Sequence, residues 1–430
     1  MVGILLWVVG VALAGEAPAG EATAEGTVRP AFSVHGDLKA FTLLTLPYEN
    51  EPLAALGLWP EDPMGKSILD GRLKLRADLG RSWRIEAHHA VSTIIGTAYT
   101  PSTTGAASTA PELLDLTWTV PKDDYGSTLT IIQGRTDRLL VQGEAGPLTL
   151  SLGRQPISFG AARFFTPLDL VSPFFPGTID SEYKPGVDAA RVDAYAGLGF
   201  QWSVVGAWVG DCSLALGPEE QTCEEVGVGD LALASWTRVT VGISDLALFL
   251  AEVHDDEVVG LSVVTAAGPV GLYGDASLTL PPGHLDPRDP TEDPFVRAAI
   301  GADWRPWSRT TLSGEAYLQT NGSSDPTTHF AQYSNDRYMR GELWAAGRAY
   351  LALSVAQELR PTLQGSLALI TNVEEPSALA LPAISASLAD DVELSAGAYV
   401  GLGKRPDTLN LRSELGYVPV TAFTRLAAWF

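Results

Sequence analysis

A chain of 430 residues is long enough for two or three soluble domains, but 46% hydrophobic and only 18% charged residues, with 43 Gly, do not make a strongly helical soluble enzyme. A formal net charge of −23 excludes nucleic acid as a natural partner. The 28 Lys and Arg, mostly Arg, fall mainly in alternating segments, whereas Asp and Glu crowd turn-like stretches.

Residues 1–14, MVGILLWVVGVALA, have an apolar core and a small-x-small site at Ala12-Leu13-Ala14, which predicts a signal peptide and export. Gly15 to Pro30 is Gly/Ala/Glu-rich and predicts a flexible periplasmic linker, too short for a plug domain. Strand-like segments then recur to the last residue. In Asp70–Gly80, Leu73, Leu75, Ala77 and Leu79 share one face and Arg72, Lys74, Arg76 and Asp78 the other. Pro147–Phe175 begins the same way, with Leu148, Leu150 and Leu152 opposite Thr149 and Ser151, then turns into a loop dense in Gly, Pro, Phe, Arg and Asp. This reads as a strand feeding a long loop that folds into the mouth or lumen of a barrel.

Val258–Gly274 is uncharged but interrupted by Gly268-Pro269, so it predicts two strands about a turn rather than a membrane helix of roughly 20 residues. Ser308–Thr320 alternates Leu312, Gly314, Ala316 and Leu318 against Arg309, Ser313, Glu315, Tyr317 and Gln319. Arg337–Gln357 reads as one long strand, with Arg340, Glu342, Trp344, Arg348 and Tyr350 on its polar face. The ending, VTAFTRLAAWF, places Leu426, Ala428 and Phe430 at alternating positions, and resembles the signal read by the outer-membrane barrel assembly machinery.

Alternation alone also fits a soluble sandwich. Connection lengths decide between them. Short turns are predicted at 80–82, 197–199, 266–269, 304–307, 358–361 and 389–391, and long polar loops between them at 46–68, 97–111, 157–186, 210–228, 282–293, 321–336 and 403–419. Short periplasmic turns and long outer loops are the mark of a transmembrane barrel. The expected fold is therefore all-β: one antiparallel up-and-down barrel over 31–430, of about 18–20 strands, the lower number if the weak pair near 127–143 is one strand.

With these residues in view, the chain resembles Gram-negative outer-membrane porin-type proteins, and more narrowly the alginate-export-like barrel family. The resemblance rests on Gly153-Arg154-Gln155, Phe159-Gly160, Pro167-Leu168-Asp169 with Pro173, and Ser413–Pro419 before the final strand. It implies an Arg-lined pore for anionic polysaccharide; the chain has no run of Lys and Arg to match that substrate.

Strict alternation puts Arg154 on the lipid face, where a midplane Arg costs roughly 2–4 kcal/mol. A β-bulge at Gly153 is expected to turn it inward, so that with Arg163 and Asp169 it forms a charged constriction. A competing reading lets Arg154 pair with a neighbouring Asp and fill the lumen. Arg72, Lys74, Arg76, Arg191, Asp193, Arg309, Glu315, Arg340, Glu342 and Arg348 are expected to line the pore, or else to close it as a network of ion pairs.

Cys212 and Cys223 fall in an expected outer loop and predict a disulfide worth about 3 kcal/mol under the chain-entropy model. Glu219, Glu220, Glu224 and Glu225 beside them read as a solvated face or, less often for such a run, as a site attracting calcium or lipopolysaccharide-bridging cations. His88-His89 lies on a strand with no nucleophile or orienting partner specified, and no phosphate-binding Gly loop, HExxH or CxxC occurs, so neither catalysis nor a cofactor or metal is expected. The expected function is passive diffusion of small or anionic hydrophilic solutes, saccharides included, across the outer membrane of a Gram-negative bacterium, through a lumen narrowed by the 157–186 loop. The alternative is a closed structural or binding barrel whose acidic outer loops contact cations or a partner. Expected partners are outer-membrane lipid and lipopolysaccharide, the assembly machinery and small solutes, with the chain a monomer or homotrimer.

Overall fold

The computed structural model describes residues 31–50, 62–97, 113–114, 116–120, 128–173, 182–197, 199–210, 212–214, 221–223, 230–283, 293–333, 335–407 and 410–430. The expected signal peptide and linker, and Glu219, Glu220, Glu224 and Glu225, lie outside them. The first strands are β1 (Ala31–Leu46), β2 (Met64–Leu79), β3 (Trp83–Thr97), β4 (Thr117–Val120), β5 (Thr128–Ala145), β6 (Leu148–Gln155) and β7 (Val187–Ala196). There follow β8 (Phe200–Trp208), β9 (Cys212–Leu214), β10 (Gln221–Cys223), β11 (Leu231–Val241), β12 (Ser244–Val253), β13 (Asp256–Ala267) and β14 (Val270–Leu280). The last are β15 (Phe295–Trp307), β16 (Thr310–Gln319), β17 (Ala349–Arg360), β18 (Leu363–Asn372), β19 (Ser377–Ala389), β20 (Val392–Leu402) and β21 (Val420–Trp429).

Every pairing is antiparallel, and the sheet closes on itself as an all-β barrel of 18 strands, with the four-residue β4 sharing an edge of β5 and β9–β10 a separate ribbon. Closure is made by β1 against β21, from Leu46↔Val420 to Asp37↔Trp429. Gly36 and Phe430 complete the seam by exchanging backbone hydrogen bonds of 2.8 and 3.0 Å. The Phe430 ring occupies the space a Cβ at position 36 would need, which fixes Gly there.

The two-residue alternation sorts residues across the wall. Leu73 is 44% exposed while its neighbour Arg72 is 7% exposed, and Leu38, Leu150, Leu152, Leu233, Leu248, Leu261 and Leu426 are likewise outward. At the end carrying the short turns, Trp83, Phe200, Trp202, Trp304, Trp307 and Phe430 all point out, as an interfacial aromatic girdle does. The two strands expected within Val258–Gly274 are β13 and β14, and the weak pair near 127–143 is the single strand β5.

Three expectations fail. Residues 304–307 end β15 instead of turning; the chain reverses at Ser308-Arg309, and the register shift between Trp304 and Trp307 is a local irregularity. Arg337–Gln357 is not one strand. Asn335 accepts a hydrogen bond from the Arg337 backbone N–H and caps the helical turn Asp336–Met339, Gly341 turns the chain at φ +81°, and the strand begins only at Ala349. Nor is there a bulge at Gly153: β5 and β6 pair without a break from Ala145↔Leu148 to Leu139↔Arg154. The Leu139 carbonyl lies where a Cβ at 153 would sit, so Gly153, at φ +111°, serves a close approach between strands rather than an extra residue. The real break is across the neighbouring pair, where β5 slips past β3 at Asp137, opposite His88 and His89.

Candidate functional site

The interior is organised by the segment that leaves β6 after Gln155. Five successive backbone N–H groups of this segment are taken by two carboxylates of the wall. Asp275 on β14 accepts from Ala161 and Ala162, both at 2.7 Å. Glu315 on β16 accepts from Arg163 at 2.8 Å, Phe164 at 3.2 Å and Phe165 at 2.7 Å. A run of amides converging on one anion is a strong, charge-assisted clamp. Gly160, at φ +100°, makes it possible, because the Asp275 carboxylate stands where its Cβ would be.

Apolar side chains fasten the same segment on both flanks. Phe165 stacks on Tyr317 at 4.7 Å between centroids and meets Trp344 edge-on at 4.9 Å. Ile157, Phe159 and Leu168 pack with Val205 of β8, Phe249 of β12 and Val258 of β13. Gly260 leaves the space that the Leu168 side chain fills. Returning toward β7, Tyr183 is surrounded by the cations of Lys39, Arg72 and Lys74, 4.6, 4.3 and 4.2 Å from its ring centre. Glu182 pairs with Lys39 and with Arg425, each at 2.8 Å. Lys184 pairs with Asp169 at 2.5 Å, and burial pushes the Asp169 carboxyl up and the Lys184 ammonium down, each partly offset by the other.

The wall turns Arg72, Lys74, Arg76, Arg191, Asp193 and Glu315 to the interior, in three different situations. Arg72 is buried against Asp137, and Lys74 pairs with Asp37 at 2.8 Å. Arg76 pairs with Asp78 at 3.0 Å and Arg191 with Asp193 at 2.8 Å, on the half nearer the short turns. Arg163 reaches Asp303 at 2.6 Å with its side chain 38% exposed. Arg309 stands on the short-turn rim, 3.8 Å from Glu358, and Arg348 donates to the Gly322 carbonyl at 2.9 Å.

Arg340 and Glu342 belong to the segment after Asp336–Met339, not to a strand. Glu342 accepts from Arg340 at 2.8 Å and Arg337 at 3.0 Å and pairs with Arg297 at 3.3 Å; Arg337 also binds Asp256. Burial alone would raise the Glu342 carboxyl, but Arg297, Arg340 and Arg337 together outweigh it and hold it down at about 2.

Arg154 is where the sequence was most misleading. It keeps the outward parity of Leu150 and Leu152, yet it is only 1% exposed. Directly across from it on β7, Asp188 accepts from its Nε at 3.0 Å and its Nη2 at 2.8 Å. Its guanidinium also donates to the carbonyls of Thr136 and Leu114, and the Leu114 N–H donates to Asp188. Leu114 and β4 thus lie along β5 beyond the point where β6 departs inward. Arg154 ties three pieces of wall together, while Arg163 pairs with Asp303 and Asp169 with Lys184, so those three are not joined in one charged constriction.

Other sequence candidates are simpler. His88 and His89 take opposite faces across the register break, and His89 bonds Thr136 at 2.9 Å and stacks near Trp118. Cys212 and Cys223 stand opposite each other in the β9–β10 ribbon, the register a disulfide needs; their side chains are outside the described residues. Leu426 points outward and Phe430 ends the seam.

Beneath the inward segment the interior is not filled. A cavity of about 220 Å³ is lined by Ser158, Gly160, Arg191, Gln201, Arg238 and Asp245, among others. Side chains of Arg76, Arg84 and Arg238 stay 42, 34 and 45% exposed, and Asp78 and Asp245 each 35%.

No family model and no curated protein sequence matches the chain. Solved structures do. OccAB1 of Acinetobacter baumannii is similar over 93% of this chain and 96% of its own, at TM-score 0.58 and 8% identity. A BenF-like porin of Pseudomonas fluorescens Pf-5 matches with TM-score 0.55 and 8% identity, over 93% and 98% of the two chains. OccK2 of Pseudomonas aeruginosa, solved in complex with glucuronate, matches with TM-score 0.54 and 11% identity, over 93% and 97%. The chain has the fold of outer-membrane porins. At these identities the likeness establishes the barrel and leaves its solute open.

Proposed function

We propose that this chain is a passive outer-membrane channel for small hydrophilic solutes, anions favoured. The observation that carries the reading is the wet lower interior, where charged side chains of both signs stay a third or more exposed: Arg238 and Asp245 on a cavity of about 220 Å³ that Ser158 and Gly160 of the inward segment also line, and Arg76, Asp78 and Arg84 on a second of about 260 Å³. A lumen closed by ion pairs would have no reason to leave them hydrated. Arg76, Arg163 and Arg238 are each more exposed than the carboxylate they pair with, which favours anions at close range. Small acids and acidic saccharides fit this description better than a polysaccharide of the alginate kind, because Arg154 serves the wall.

A Gram-negative outer membrane as the site, lipopolysaccharide and the assembly machinery as partners, and a monomer or trimer as the working unit belong to the same proposal. It involves no chemistry on the solute. The rival reading, a closed structural or binding barrel, draws on the opposite half of the interior, where Arg297, Arg337, Glu342 and the rings around Phe165 are densely packed. Planar bilayers separate the two. Purified wild type should give discrete conductance steps, with a larger step when residues 160–172 are deleted. A protein that is folded by heat-modifiable gel mobility yet conducts in neither form overturns the channel reading.

A further inference from the structure

Three outer connections meet at one buried cluster that the conduction pathway does not use. His329 lies in the segment between β16 and β17, Glu375 in the turn between β18 and β19, and Glu414 in the segment before β21. All three are buried, at 0, 7 and 1% exposure, and one donor atom from each lies within 4.8 Å of the other two. We propose that His329, Glu375 and Glu414 bind one divalent transition cation of the zinc class, which clasps the three connections over the mouth of the barrel.

The ring of His329 is already set for a metal. Its Nε2 contacts the Ser323 carbonyl at 3.0 Å, and a carbonyl can only accept, so Nε2 carries the proton and Nδ1 presents a lone pair. Metal-binding imidazoles are oriented in this way by an outer carbonyl. That Nδ1 is buried and has no hydrogen-bond partner. Glu375 is arranged likewise. Its Oε1 accepts from the Ser377 hydroxyl at 2.9 Å and from the Glu414 backbone N–H, while its Oε2 is buried with no partner. Two residues whose donor atoms come within 4.8 Å of each other thus each carry an orphaned buried lone pair, one on nitrogen and one on a carboxylate oxygen, and buried orphans of this kind are costly.

Glu414 supplies the third donor and the scaffold. Its carboxylate accepts from the Ala346 N–H at 2.7 Å, the Tyr350 hydroxyl at 2.5 Å, Asn372 at 2.9 Å and, most weakly, the Tyr333 hydroxyl at 3.2 Å. Tyr333 is the bond to release when a cation is coordinated. Among the described residues neither Glu375 nor Glu414 has a Lys or Arg ion-pair partner, so two buried carboxylates await positive charge. A protonated His329 would answer only half of it, and no carboxylate is within hydrogen-bond reach of its Nδ1. One imidazole and two carboxylates suit zinc better than calcium or magnesium, which prefer all-oxygen shells.

The test uses full-length protein, folded in detergent, stripped with chelator and titrated with zinc chloride by calorimetry, with metal content read by mass spectrometry. One zinc per chain is expected, with calcium and magnesium failing to compete. His329→Ala and the nearly isosteric Glu375→Gln should each weaken binding by at least about 10–100-fold, the range that even outer-shell changes reach. Both should keep the heat-modifiable mobility of a closed barrel, and Glu375→Gln decides the matter if His329→Ala does not fold. Zinc should also slow trypsin cleavage after Arg337 and Arg340 in wild type and not in the variants. No zinc bound by folded wild type, or affinity unchanged in a folded variant, overturns the site. Conductance plays no part in this result, so it stands or falls apart from the channel reading.

Discussion

The two halves of the barrel interior use the same side chains to opposite ends. Toward the long loops, Arg72, Lys184, Arg297 and Arg337 are buried and matched to Asp137, Asp169, Glu342 and Asp256. Toward the short turns, Arg76, Arg84 and Arg238 face carboxylates too, yet stay a third or more exposed. An inward Arg buried among partners acts as a fastener; one left in water is free to act on a solute if the lumen conducts as proposed. Inward parity alone does not distinguish them. Burial does, and burial here is set by which segments fold in.

The largest effect should come from breaking a fastener in the wall itself. Arg154→Met leaves Asp188 buried without its cation, and removal of one partner of a buried pair costs about 3–5 kcal/mol. The urea midpoint of protein refolded into lipid vesicles should fall accordingly, with the lower interior and its ion selectivity unchanged. The double variant Arg154→Met with Asp188→Leu should recover most of the loss, because the wall around it is apolar. If the double variant is no more stable than the single one, Arg154 matters for its backbone contacts to Thr136 and Leu114 instead.

Next is the clamp between the halves. Glu315→Ala removes the acceptor of three amides, at about 1.5–3 kcal/mol for a bond to a charged group and with shared effects that do not simply add. Of the two carboxylates only Asp275 then remains, at Ala161 and Ala162. Open-channel current should rise and become noisy in planar bilayers while the barrel stays folded. An unchanged, quiet current would mean that the aromatic contacts of Phe165 hold the segment unaided.

The difference between the halves also marks how far the sequence could be read. The wall was legible, since a period of two leaves a row of Leu on one face of β2 and β6, and the alternation of short and long connections told a barrel from a sandwich. The seam was legible in VTAFTRLAAWF for the same reason. What happens inside was not, because a segment folded into a lumen has no period. Arg337–Gln357 shows this: Met339, Leu343 and Ala345 alternate by chance, and the Asn335 cap and Gly341 turn are too short a signal to outweigh them. Arg154 was misplaced because its partners, Leu114, Thr136 and Asp188, are distant in sequence. The cluster of His329, Glu375 and Glu414 left no spacing to read, since three separate connections supply it.

Acid distinguishes a fastener by its charge. Glu342 has its carboxyl held at about 2, below its ordinary value of 4.5, by Arg297, Arg340 and Arg337 against the opposing effect of burial. A depressed carboxyl contributes stability that is fully present above the unfolded value and is lost as pH falls toward the folded one. Docking of residues 335–346 should therefore be constant above about pH 5 and weaken between about 4.5 and 2. Trypsin cannot report at such pH, but pepsin cleavage of this segment can, and it should rise across that window. Glu342→Gln should be cleaved readily even at pH 4, and a wild-type onset near pH 6 would assign the docking to another group.

The smallest effects should belong to the wet half, and there they should be effects on selectivity, not on folding. Neutralising one exposed charge changes local electrostatics by less than about 1 kcal/mol, hence permeability ratios by less than about fivefold. Arg163→Gln and Arg238→Gln should each move the reversal potential in a salt gradient toward cations, with urea midpoints near wild type. Arg72→Gln makes the contrast, because its guanidinium is buried against Asp137 and beside Tyr183. It should lower stability far more than it moves the reversal potential, since Asp137 keeps Arg135 at 2.6 Å and the net change seen by a solute is small. Should Arg72→Gln shift selectivity as strongly as Arg238→Gln does, the buried cations would also be sensed from the pathway, and exposure would no longer divide the charges that fasten from those that filter.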